Sequence, residues 1–404
     1  MSAAAACGIA IPTLCSDERV KPYGACGICV VEAENSPKLL RACSTFPQAG
    51  MRIKTDTPRV LSVRKSALEL MLSDHKGDCT APCKGACPAN TDCQGYVGLI
   101  ANGEYGEAAA LIREKLPLPA SVGRVCPHPC ETKCRRALVE EPINIAGLKS
   151  FAADRGGISI PEIKESTNKR IAVIGGGPGG LTAAYFLRLQ GHAVTVYDAM
   201  PKAGGMLRYG VPEYRLPKKV LSKETDAIES MGVKFIGNTK IGGAGQPALA
   251  GLRKSFDAVI VAIGAWKGVR LGCEGEQLKN VIGGIEFLRD VKSYENTIKG
   301  KRVAVVGGGD TAMDACRTAV RLGAAAVYDV YRRSLSEMPA NQVEIDEAME
   351  EGVIFKCLHN PIEIIGKEAV TGMRLQKMEL GEPDASGRRS PVPIKGAEET
   401  LAVD

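Results

Sequence analysis

Apolar and polar positions in the second half of the chain repeat one arrangement twice: a short apolar run, a glycine-rich turn and an amphipathic stretch. Short apolar runs beside such turns predict buried strands, and apolar spacings of three and four residues predict helices. The first copy predicts a strand at Lys169–Ile174, a helix at Leu181–Leu189 and a strand at Ala193–Tyr197. The second predicts a strand at Lys301–Val306, a helix at Ala312–Leu322 and a strand at Ala326–Val330. Strands that alternate with helices predict an α/β architecture with parallel sheets.

Helical patterns dominate the earlier part of the chain. They predict a helix at Ser62–Ser73 and another over Tyr96–Lys115, which ends before Pro117. The longest apolar run, Ala258–Ala265, is typical of a buried strand. It is much shorter than the ~18–20 residues of a membrane span, so we expect no membrane-spanning segment.

Composition excludes two broad classes of protein. Hydrophobic residues make up 45% of the chain and charged residues 24%, close to the average of globular proteins, which argues against general disorder. The 52 Lys and Arg residues exceed the 46 Asp and Glu residues by six over 404 residues. That excess is far below the basic surface typical of nucleic-acid-binding proteins, so we expect no nucleic-acid partner.

Cysteine is the most informative residue type, because twelve of the fifteen cysteines lie at or before Cys134. Such a concentration indicates a secreted disulfide framework, zinc or iron–sulfur clusters. Met1–Ala6 lacks the basic region of a signal peptide, and Leu14 is too large for a lipoprotein-type cleavage site before Cys15. We therefore expect a cytoplasmic protein whose cysteines are metal ligands.

A first group of four cysteines has the spacing C-x10-C-x2-C-x13-C and comprises Cys15, Cys26, Cys29 and Cys43. A zinc ribbon would have two close pairs, whereas this stretch has one. Small residues at Gly24–Gly27 would let backbone amides turn toward cluster sulfurs. The stretches Ile-Pro-Thr-Leu-Cys15, Gly27-Ile-Cys29-Val-Val and Arg41-Ala-Cys43-Ser-Thr resemble the [2Fe–2S] ferredoxin-like domain of complex I large subunits and iron hydrogenases.

That resemblance implies a [2Fe–2S] cluster, with zinc as the alternative, in a partial β-grasp domain. Domains of that kind open with a hairpin, whereas this chain begins inside the following helix at Ala3–Gly8, so the hairpin is expected to be missing. Cys7 lies on that helix and is expected to be a small packing residue.

A second group of possible ligands follows the predicted helix at Ser62–Ser73. It comprises His75, Cys79, Cys83, Cys87, Cys93, Cys126, Cys130 and Cys134. Two ligand groups separated by helices suit a pair of [4Fe–4S] clusters with interleaved ligands. The motifs Cys83-Lys-Gly-Ala-Cys87-Pro, Gly123-Arg-Val-Cys126-Pro, Cys130-Glu-x-x-Cys134 and Pro142-Ile-Asn-Ile-Ala-Gly resemble the iron–sulfur domain of the glutamate synthase small subunit. The same domain begins dihydropyrimidine dehydrogenase and the large subunit of the ferredoxin-dependent transhydrogenase.

The resemblance implies two ligand sets. One cluster would take Cys79, Cys83 and Cys134, and the other Cys87, Cys126 and Cys130. The chain departs from the family in two ways: one cysteine fewer precedes Cys83, and Lys149 stands where the family has a Gln or Glu ligand.

A count of ligands suggests how these departures are compensated. Three clusters need twelve ligands, and the chain from Cys15 to Cys134 supplies eleven cysteines. We expect His75 to be the twelfth ligand and Cys93 to replace the missing carboxamide. The alternatives are that His75 is an ordinary surface histidine, or that His128 takes its role.

The first glycine-rich turn stands between a predicted strand and a predicted helix, as a dinucleotide-binding turn does. Its candidate residues are Gly175, Gly177, Pro178, Gly179 and Gly180, followed by Asp198, 23 residues after Gly175, in the place of a ribose-binding carboxylate. The glycines would let a pyrophosphate approach the helix N-terminus. In flavoproteins similar to the glutamate synthase small subunit, the next segment runs along FAD; here it contains Gly204, Gly205, Met206, Arg208 and Tyr209. We expect FAD, with a purely structural βαβ unit as the alternative.

The second turn favours a phosphorylated nicotinamide dinucleotide. Its candidate residues are Gly307, Gly309, Asp310, Thr311 and Ala312. The next strand ends in Tyr331-Arg332-Arg333 with no carboxylate, so Arg332 and Arg333 are expected to bind the 2′-phosphate of NADPH. An exposed basic turn is the alternative. Cys273, Cys316 and Cys357 are isolated, which argues against a redox-active disulfide.

Together these features predict a multidomain α/β protein with two Rossmann-like domains, arranged as in disulfide-reductase-like flavoproteins. The predicted domains are a [2Fe–2S] domain (1–60), a helical domain with two [4Fe–4S] clusters (61–160), an FAD domain (168–292) and an NAD(P)H domain (293–404). The resemblance also implies a closing segment of the FAD domain after residue 404, which this sequence does not contain.

The predicted activity is an NAD(P)H-dependent FAD and iron–sulfur oxidoreductase whose chemistry rests on its cofactors, with no separate catalytic side chains. Hydride from NADPH would reach FAD, and single electrons would pass through the clusters to a partner subunit or ferredoxin. The partners would belong to a hydrogenase-, formate dehydrogenase-, transhydrogenase- or glutamate synthase-like complex. A non-catalytic electron-relay or scaffold subunit is the alternative function.

Overall fold

The computed structural model describes residues 1–16, 21, 23–34, 36–75 and 79–404. The chain forms two compact units, Met1–Thr80 and Ala81–Asp404, each with its own core. Within the described residues, no helix is both long enough and apolar enough to cross a membrane.

The first unit is built around a small antiparallel sheet. Its described elements are α1 (Ser2–Ala6), β1 (Val30–Ala33), β2 (Leu40–Arg41), β3 (Ile53–Lys54) and α2 (Pro58–Ser73). Strand β1 lies between β2 and β3. Helix α2 confirms the predicted helix but begins four residues earlier, because the Thr57 hydroxyl caps it by accepting a hydrogen bond from the amide of Val60 at 3.3 Å. Arg64 ties α2 to the sheet by donating to the carbonyl of Val30 at 2.7 Å.

The second unit opens with helices that present the second group of cysteines. They are α3 (Pro82–Ala86), α4 (Cys93–Ala101), α5 (Tyr105–Arg113), α6 (Pro119–Val125) and α7 (Ile145–Gly156), with 3₁₀ turns at Glu131–Lys133 and Arg135–Leu138. The prediction of one helix over Tyr96–Lys115 is wrong, since α4 and α5 occupy this stretch. Helix α4 ends at Ala101 with Asn102 as its C-cap, and Gly103 follows with φ of +81°, a conformation that terminates a helix and favours glycine.

The first glycine-rich turn belongs to a parallel sheet flanked by helices, which we call the first dinucleotide fold. Its elements are β4 (Arg170–Ile174), α8 (Pro178–Leu189), β5 (Ala193–Tyr197), α9 (Met206–Tyr209), α10 (Lys218–Ser230), β6 (Lys234–Ile236), α11 (Leu249–Ser255) and β7 (Ala258–Val261). The strand order is β6-β5-β4-β7, with all neighbours parallel. The strands and helix predicted around this turn are therefore confirmed.

The second dinucleotide fold repeats the arrangement and adds an antiparallel sheet. Its elements are α12 (Gly284–Arg289), α13 (Val291–Ile298), β8 (Arg302–Val306), α14 (Asp310–Arg321), β9 (Ala326–Tyr331), α15 (Gln342–Glu350), β10 (Ile354–Cys357), β11 (His359–Gly366), β12 (Val370–Pro383) and β13 (Arg389–Leu401). Strands β10, β9 and β8 form a parallel sheet, and β11, β12 and β13 an antiparallel one. The predicted multidomain α/β class is confirmed.

Helix α6 joins the cysteine-bearing helices to the first dinucleotide fold. Leu118, Val122 and Val125 pack into the same apolar core as the β4 and α8 side chains of that fold. The buried carboxylate of Glu224, from α10, accepts hydrogen bonds from the amides of Ala120 at 2.7 Å and Ser121 at 3.0 Å. These amides have no partner within the helix, so the carboxylate caps the start of α6.

Candidate cofactor and cluster sites

The first glycine-rich turn has the shape that a bound pyrophosphate requires. Gly175 has φ of +110°, and a side chain there would collide with the carbonyl of Ala262. A side chain at Gly180 would likewise collide with the carbonyl of Gly175. A Cβ at Gly179, by contrast, would meet no atom within 4 Å, so the turn leaves open space at the N-terminus of α8. Close packing thus requires glycine at positions 175 and 180, and the open space beside Gly179 fits a pyrophosphate.

Asp198 lies beside this turn, immediately after β5. Its side chain is 8% exposed, and its Oδ2 accepts a hydrogen bond from the amide of Gly176 at 2.5 Å. Its Oδ1 accepts one from the amide of Met200 at 2.7 Å. The carboxylate therefore fixes the turn, and its predicted contact with a ribose hydroxyl stays a prediction.

The Gly204–Tyr209 segment packs directly on the turn. The amide of Gly204 donates to the carbonyl of Gly176 at 2.7 Å, and Gly205, with φ of +52°, lies against Gly177 before α9 begins at Met206. Two side chains of this segment then bond to neighbouring backbone. Arg208 Nε donates to the carbonyl of Ala203 at 2.5 Å, and the Tyr209 hydroxyl accepts from the amide of Lys202 at 3.1 Å. Burial raises the pKa of Tyr209.

Lys218, which the sequence analysis did not single out, holds the same segment in place. Its Nζ donates to the carbonyls of Leu207 at 3.0 Å and Val211 at 2.5 Å. Burial lowers the pKa of Lys218 to about 8. Its position at the start of a polar helix gives no sequence signal for these contacts, which depend on how the segment folds back.

The second glycine-rich turn also follows a strand and opens a helix, but a different side chain packs against it. The ring of Tyr331, at the end of β9, lies against Gly308, where a Cβ would be 2.5 Å from it. Gly309 has open space around it, and Ala312 lies against Gly307 at the start of α14. Asp310 and Thr311 are exposed at the helix N-terminus. The open side of this turn therefore also fits a dinucleotide.

The structure distinguishes the two arginines predicted to bind a 2′-phosphate. Arg332 is exposed at the end of β9. Arg333 is 5% exposed, and its Nη2 lies 2.5 Å from Oδ2 of Asp384. Hydrogen bonds from Ser386, together with that from Arg333, lower the pKa of Asp384 to about 2. Arg332 is thus the arginine that remains accessible to a ligand.

Ion pairs join the two dinucleotide folds. Nη1 of Arg215, on the segment before α10, lies 3.0 Å from both carboxylate oxygens of Asp314 on α14. Arg215 Nε lies 2.8 Å from Glu344 on α15, and Arg317 lies 2.7 Å from the other oxygen of that carboxylate. Burial raises the pKa of Asp314 to about 6, although Arg215 opposes this shift. Sequence gave no sign of this network because its members are about 100 residues apart.

The first unit places its four predicted ligands in two contacting pairs. The amide of Cys26 donates to Sγ of Cys15 at 3.4 Å, and Cys29 and Cys43 interact through their side chains. Gly27 has φ of +71°, which turns the backbone so that the amide of Ile28 donates to Sγ of Cys26 at 3.5 Å. Burial and Cys29 raise the pKa of Cys43. For Cys26, burial raises the pKa, but amide hydrogen bonds outweigh it and lower the pKa to about 7. Such amide–sulfur bonds are a feature of iron–sulfur sites.

The second unit gathers several of its cysteines in one apolar core. Cys93 and Cys130 are 3% and 6% exposed, and Cys83 and Cys87 pack against them. Burial, reinforced by these neighbouring cysteines, raises the pKa of Cys93 to about 12. Because this core holds Cys83, predicted for the other cluster, as well as Cys87 and Cys130, the division of ligands between two clusters stays a prediction.

The loop from Cys126 to Cys130 carries another amide–sulfur contact. His128 has φ of +40°, and its amide donates to Sγ of Cys126 at 3.4 Å. The His128 ring is held by the Cys126 carbonyl, 3.0 Å from Nδ1, and by Glu131, 3.8 Å from Nε2. His128 therefore closes the loop, and both of its ring nitrogens have protein partners.

The remaining predicted ligands are divided between the two units. His75 and Cys79 are exposed residues of the first unit, whereas Cys83 and Cys134 belong to the second. Helix α3, which carries Cys83, contacts the 3₁₀ turn that precedes Cys134. In the described part of the chain, no three His, Cys, Asp or Glu side chains converge as the ligands of a single metal ion would. The predicted set of His75, Cys79, Cys83 and Cys134 stays a prediction.

Comparison with protein families assigns three parts of the chain. A family described as pyridine nucleotide-disulphide oxidoreductase matches residues 169–385, which include the first dinucleotide fold and all of the second except β13. Residues 75–157 match dihydropyrimidine dehydrogenase domain II, 4Fe-4S cluster, and residues 1–58 match a 2Fe-2S iron-sulfur cluster binding domain.

Individual proteins agree with these assignments. The chain is 44% identical over 336 residues to the NADPH-Fe(3+) oxidoreductase subunit beta of Geobacter sulfurreducens, covering 80% of this chain and 50% of that relative. The chain thus spans about half the length of that relative. It is 34% identical over 339 residues to the glutamate synthase [NADPH] small chain of Halomonas elongata, covering 80% of this chain and 71% of that protein.

Among solved structures, FprA, an oxidoreductase of Mycobacterium tuberculosis, superposes with a TM-score of 0.51 at 23% identity. The match covers 58% of this chain and 69% of FprA and shows a shared fold. The two glycine-rich turns, the gathered cysteines and these matches confirm the resemblance inferred from the sequence. The chain therefore belongs to the pyridine nucleotide-disulphide oxidoreductase family, within the group of iron–sulfur proteins that includes the glutamate synthase small chain.

Proposed function

We propose that this protein is the electron-input subunit of a larger redox complex. It would oxidise NADPH at the two dinucleotide folds and pass electrons through two [4Fe–4S] clusters and one [2Fe–2S] cluster to a partner subunit or ferredoxin. The matched families support the cofactor classes, and the relatives named as a subunit beta and a small chain support a partner.

Helix α6 is the observation that carries this proposal. Its apolar side chains belong to the core of the first dinucleotide fold, and its C-cap residue is Cys126, a predicted cluster ligand. The buried carboxylate of Glu224 fixes the other end of the helix. A ligand-bearing helix built into the core of a dinucleotide fold suits direct electron transfer between a flavin and a cluster.

Separate segments of the chain would bind the two dinucleotides. The Gly175–Gly180 turn would hold the pyrophosphate of FAD, with Gly204–Tyr209 packed along it, and the Gly307–Ala312 turn would hold NADPH, with Arg332 on the 2′-phosphate. When bound, FAD supplies the exchange between the two-electron chemistry of NADPH and the one-electron chemistry of clusters. The protein contributes the shape of each turn and the placement of α6.

Spectroscopy of the whole chain, purified without oxygen, tests the proposal. We expect flavin and iron–sulfur absorption bands that bleach on addition of NADPH and far less with NADH. A Gly309→Val variant is a matched control, because its side chain would fill the open side of the second turn and leave the first turn intact. It should keep its flavin bands, fail to bleach with NADPH and still bleach with dithionite. Wild-type protein without flavin bands would contradict the proposal and favour a relay subunit.

The proposed ligand set has a separate test. Three clusters of these types hold about ten iron atoms per chain, and His75→Ala should lower that content by up to four while the [2Fe–2S] signal persists. His192→Ala is a suitable control, since His192 lies in the first dinucleotide fold and its Nδ1 is 2.6 Å from the Thr167 hydroxyl. An unchanged iron and sulfide content in His75→Ala would remove His75 from the ligand set.

A further inference from the structure

Lys149 is a buried lysine in the middle of an apolar helix face. Its exposure is 6%, and it shares the buried face of α7 with Ile145, Ala146, Ala152 and Ala153. An ammonium group in such a place loses much of its hydration, so its burial requires a compensating negative charge.

No carboxylate of the described residues provides that charge, since none lies within 4 Å of the Lys149 ammonium. The α7 face that carries Lys149 packs through Ile145 and Ala152 into the apolar core that holds Cys87 and Cys130. Both cysteines belong to the same predicted cluster.

Local contacts fix Lys149 in this position. Glu131, directly after Cys130, accepts a hydrogen bond through Oε1 from the amide of Ala146 at 2.8 Å, which attaches the cysteine loop to the first turn of α7. The buried Tyr96 hydroxyl donates to the carbonyl of Ile145 at 3.0 Å. Lys149 lies one turn further along the same helix face, so the start of α7 and the cysteine loop form one rigid piece.

We propose that Lys149 is a positioning residue that acts as the counter-ion of the cluster held by Cys87 and Cys130, and that it raises the midpoint potential of this cluster. The inference rests on the proposed function, because it needs the cluster to be present. A cluster with thiolate ligands carries net negative charge, and reduction adds one electron to it. A fixed neighbouring cation stabilises the reduced form more than the oxidised form, so the potential rises.

A redox titration followed by EPR, on whole protein purified without oxygen, tests this role. Lys149→Met keeps the length and apolar stem of the side chain but removes the charge. We expect full iron content and a lower midpoint potential for one [4Fe–4S] signal. At a fixed potential, the ratio of reduced to oxidised cluster should fall about tenfold, which is equivalent to about 59 mV for one electron. The [2Fe–2S] signal should keep its potential.

Two variants control for charge and for packing. Lys133→Met removes an exposed lysine from the same cysteine loop, where solvent screens the charge, and should shift the potential much less. Lys149→Arg keeps the charge in place. If Lys149→Met loses its cluster, retention of the cluster at near wild-type potential in Lys149→Arg supports the counter-ion role.

Two results would overturn the role of Lys149 while leaving the proposed function intact. One is an unchanged [4Fe–4S] potential in Lys149→Met with full iron content. The other is equal loss of the cluster in Lys149→Met and Lys149→Arg, which would reduce Lys149 to a packing residue. Absence of [4Fe–4S] signals in the wild-type protein would instead overturn the proposed function itself.

Discussion

The two dinucleotide folds share a topology and differ at the end of their second strand. In the first, Asp198 follows β5 and its carboxylate accepts a hydrogen bond from the amide of Gly176. In the second, the Tyr331 ring lies against Gly308 at the end of β9, and Arg332 is exposed beside it. A carboxylate thus lies against the first turn and an aromatic ring against the second.

A second difference lies two residues earlier along each strand. Val173 pairs with Val196 in the first sheet, and Val305 pairs with Asp329 at the corresponding position of the second. Both Val196 and Asp329 are fully buried. The same backbone therefore accommodates a carboxylate or an aromatic ring against its glycine-rich turn, and in one copy it also tolerates a carboxyl group in its core. The following experiments separate these differences.

The largest loss of stability should come from placing a side chain in the first glycine-rich turn. Gly175→Ala forces a side chain into the Ala262 carbonyl at a φ of +110°, which should cost more than about 3 kcal/mol of folding free energy. We expect purified protein without flavin and with a lower melting temperature. Gly309→Ala is a control in the second turn, where the Cβ meets no atom within 4 Å, and it should fold normally. Equal stability of the two variants would contradict the close packing at Gly175.

Breaking the contact between the folds should have the next largest effect. Arg215→Met leaves the buried carboxylate of Asp314 unpaired and should destabilise the protein by roughly 3–5 kcal/mol, measured by urea unfolding. The double variant Arg215→Met/Asp314→Leu removes both charges and should recover most of that loss. No recovery in the double variant would show that packing of the arginine stem, and not charge, joins the folds.

Asp329 gives the second fold a pH dependence that Val196 does not give the first. Burial raises the pKa of Asp329 to about 8, so the folded protein keeps a proton that the unfolded chain loses at much lower pH. Stability should therefore fall as pH rises from about 4 to about 8 and level off above that.

Replacement of Asp329 by valine should remove this trend. The variant should be more stable than wild type by roughly 1–3 kcal/mol at pH 8, because a buried carboxyl group whose Oδ2 has no hydrogen-bond partner among the described residues is lost. Melting temperatures at pH 5 and pH 8 provide the measurement. A wild-type slope that persists in Asp329→Val would assign the pH dependence to other groups.

The smallest effect should be confined to nucleotide choice. Arg332→Ala should raise the KM for NADPH roughly tenfold and leave that for NADH unchanged, since only NADPH carries a 2′-phosphate. Arg333→Ala serves as the comparison, because Arg333 is paired with Asp384 and should affect stability more than nucleotide choice. A similar loss with both nucleotides in Arg332→Ala would contradict a role in binding the 2′-phosphate.

The sequence predicted those strands whose bounds are set by the local pattern of apolar residues and glycines. Strand β5 matches its predicted bounds at both ends, and β4 and β8 each begin one residue late, because apolar runs beside glycine turns define such strands. The break at Gly103 was missed because the apolar period continues across it, while the backbone turn depends on a positive φ that glycine permits but does not dictate.

The pattern of residues along the chain could not predict contacts between residues that are distant in sequence. Arg332 and Arg333 look equivalent in the sequence, and only the approach of Asp384, 51 residues later, separates them. The burial of Lys149 likewise depends on the attachment of Glu131 to the start of α7. Residue spacing suggested the groups of cysteines, whereas the charges that act on them became visible only with the fold.

Helix α6 also limits how this protein can be taken apart. Because Leu118, Val122 and Val125 complete the core of a neighbouring fold, the cysteine-bearing helices are not an exchangeable module. A chimaera joined between α7 and β4 would pair α6 with a foreign core and separate Glu224 from the helix that it caps. Recombination, in nature or in the laboratory, should therefore preserve the stretch from α6 to α10 as one inherited block.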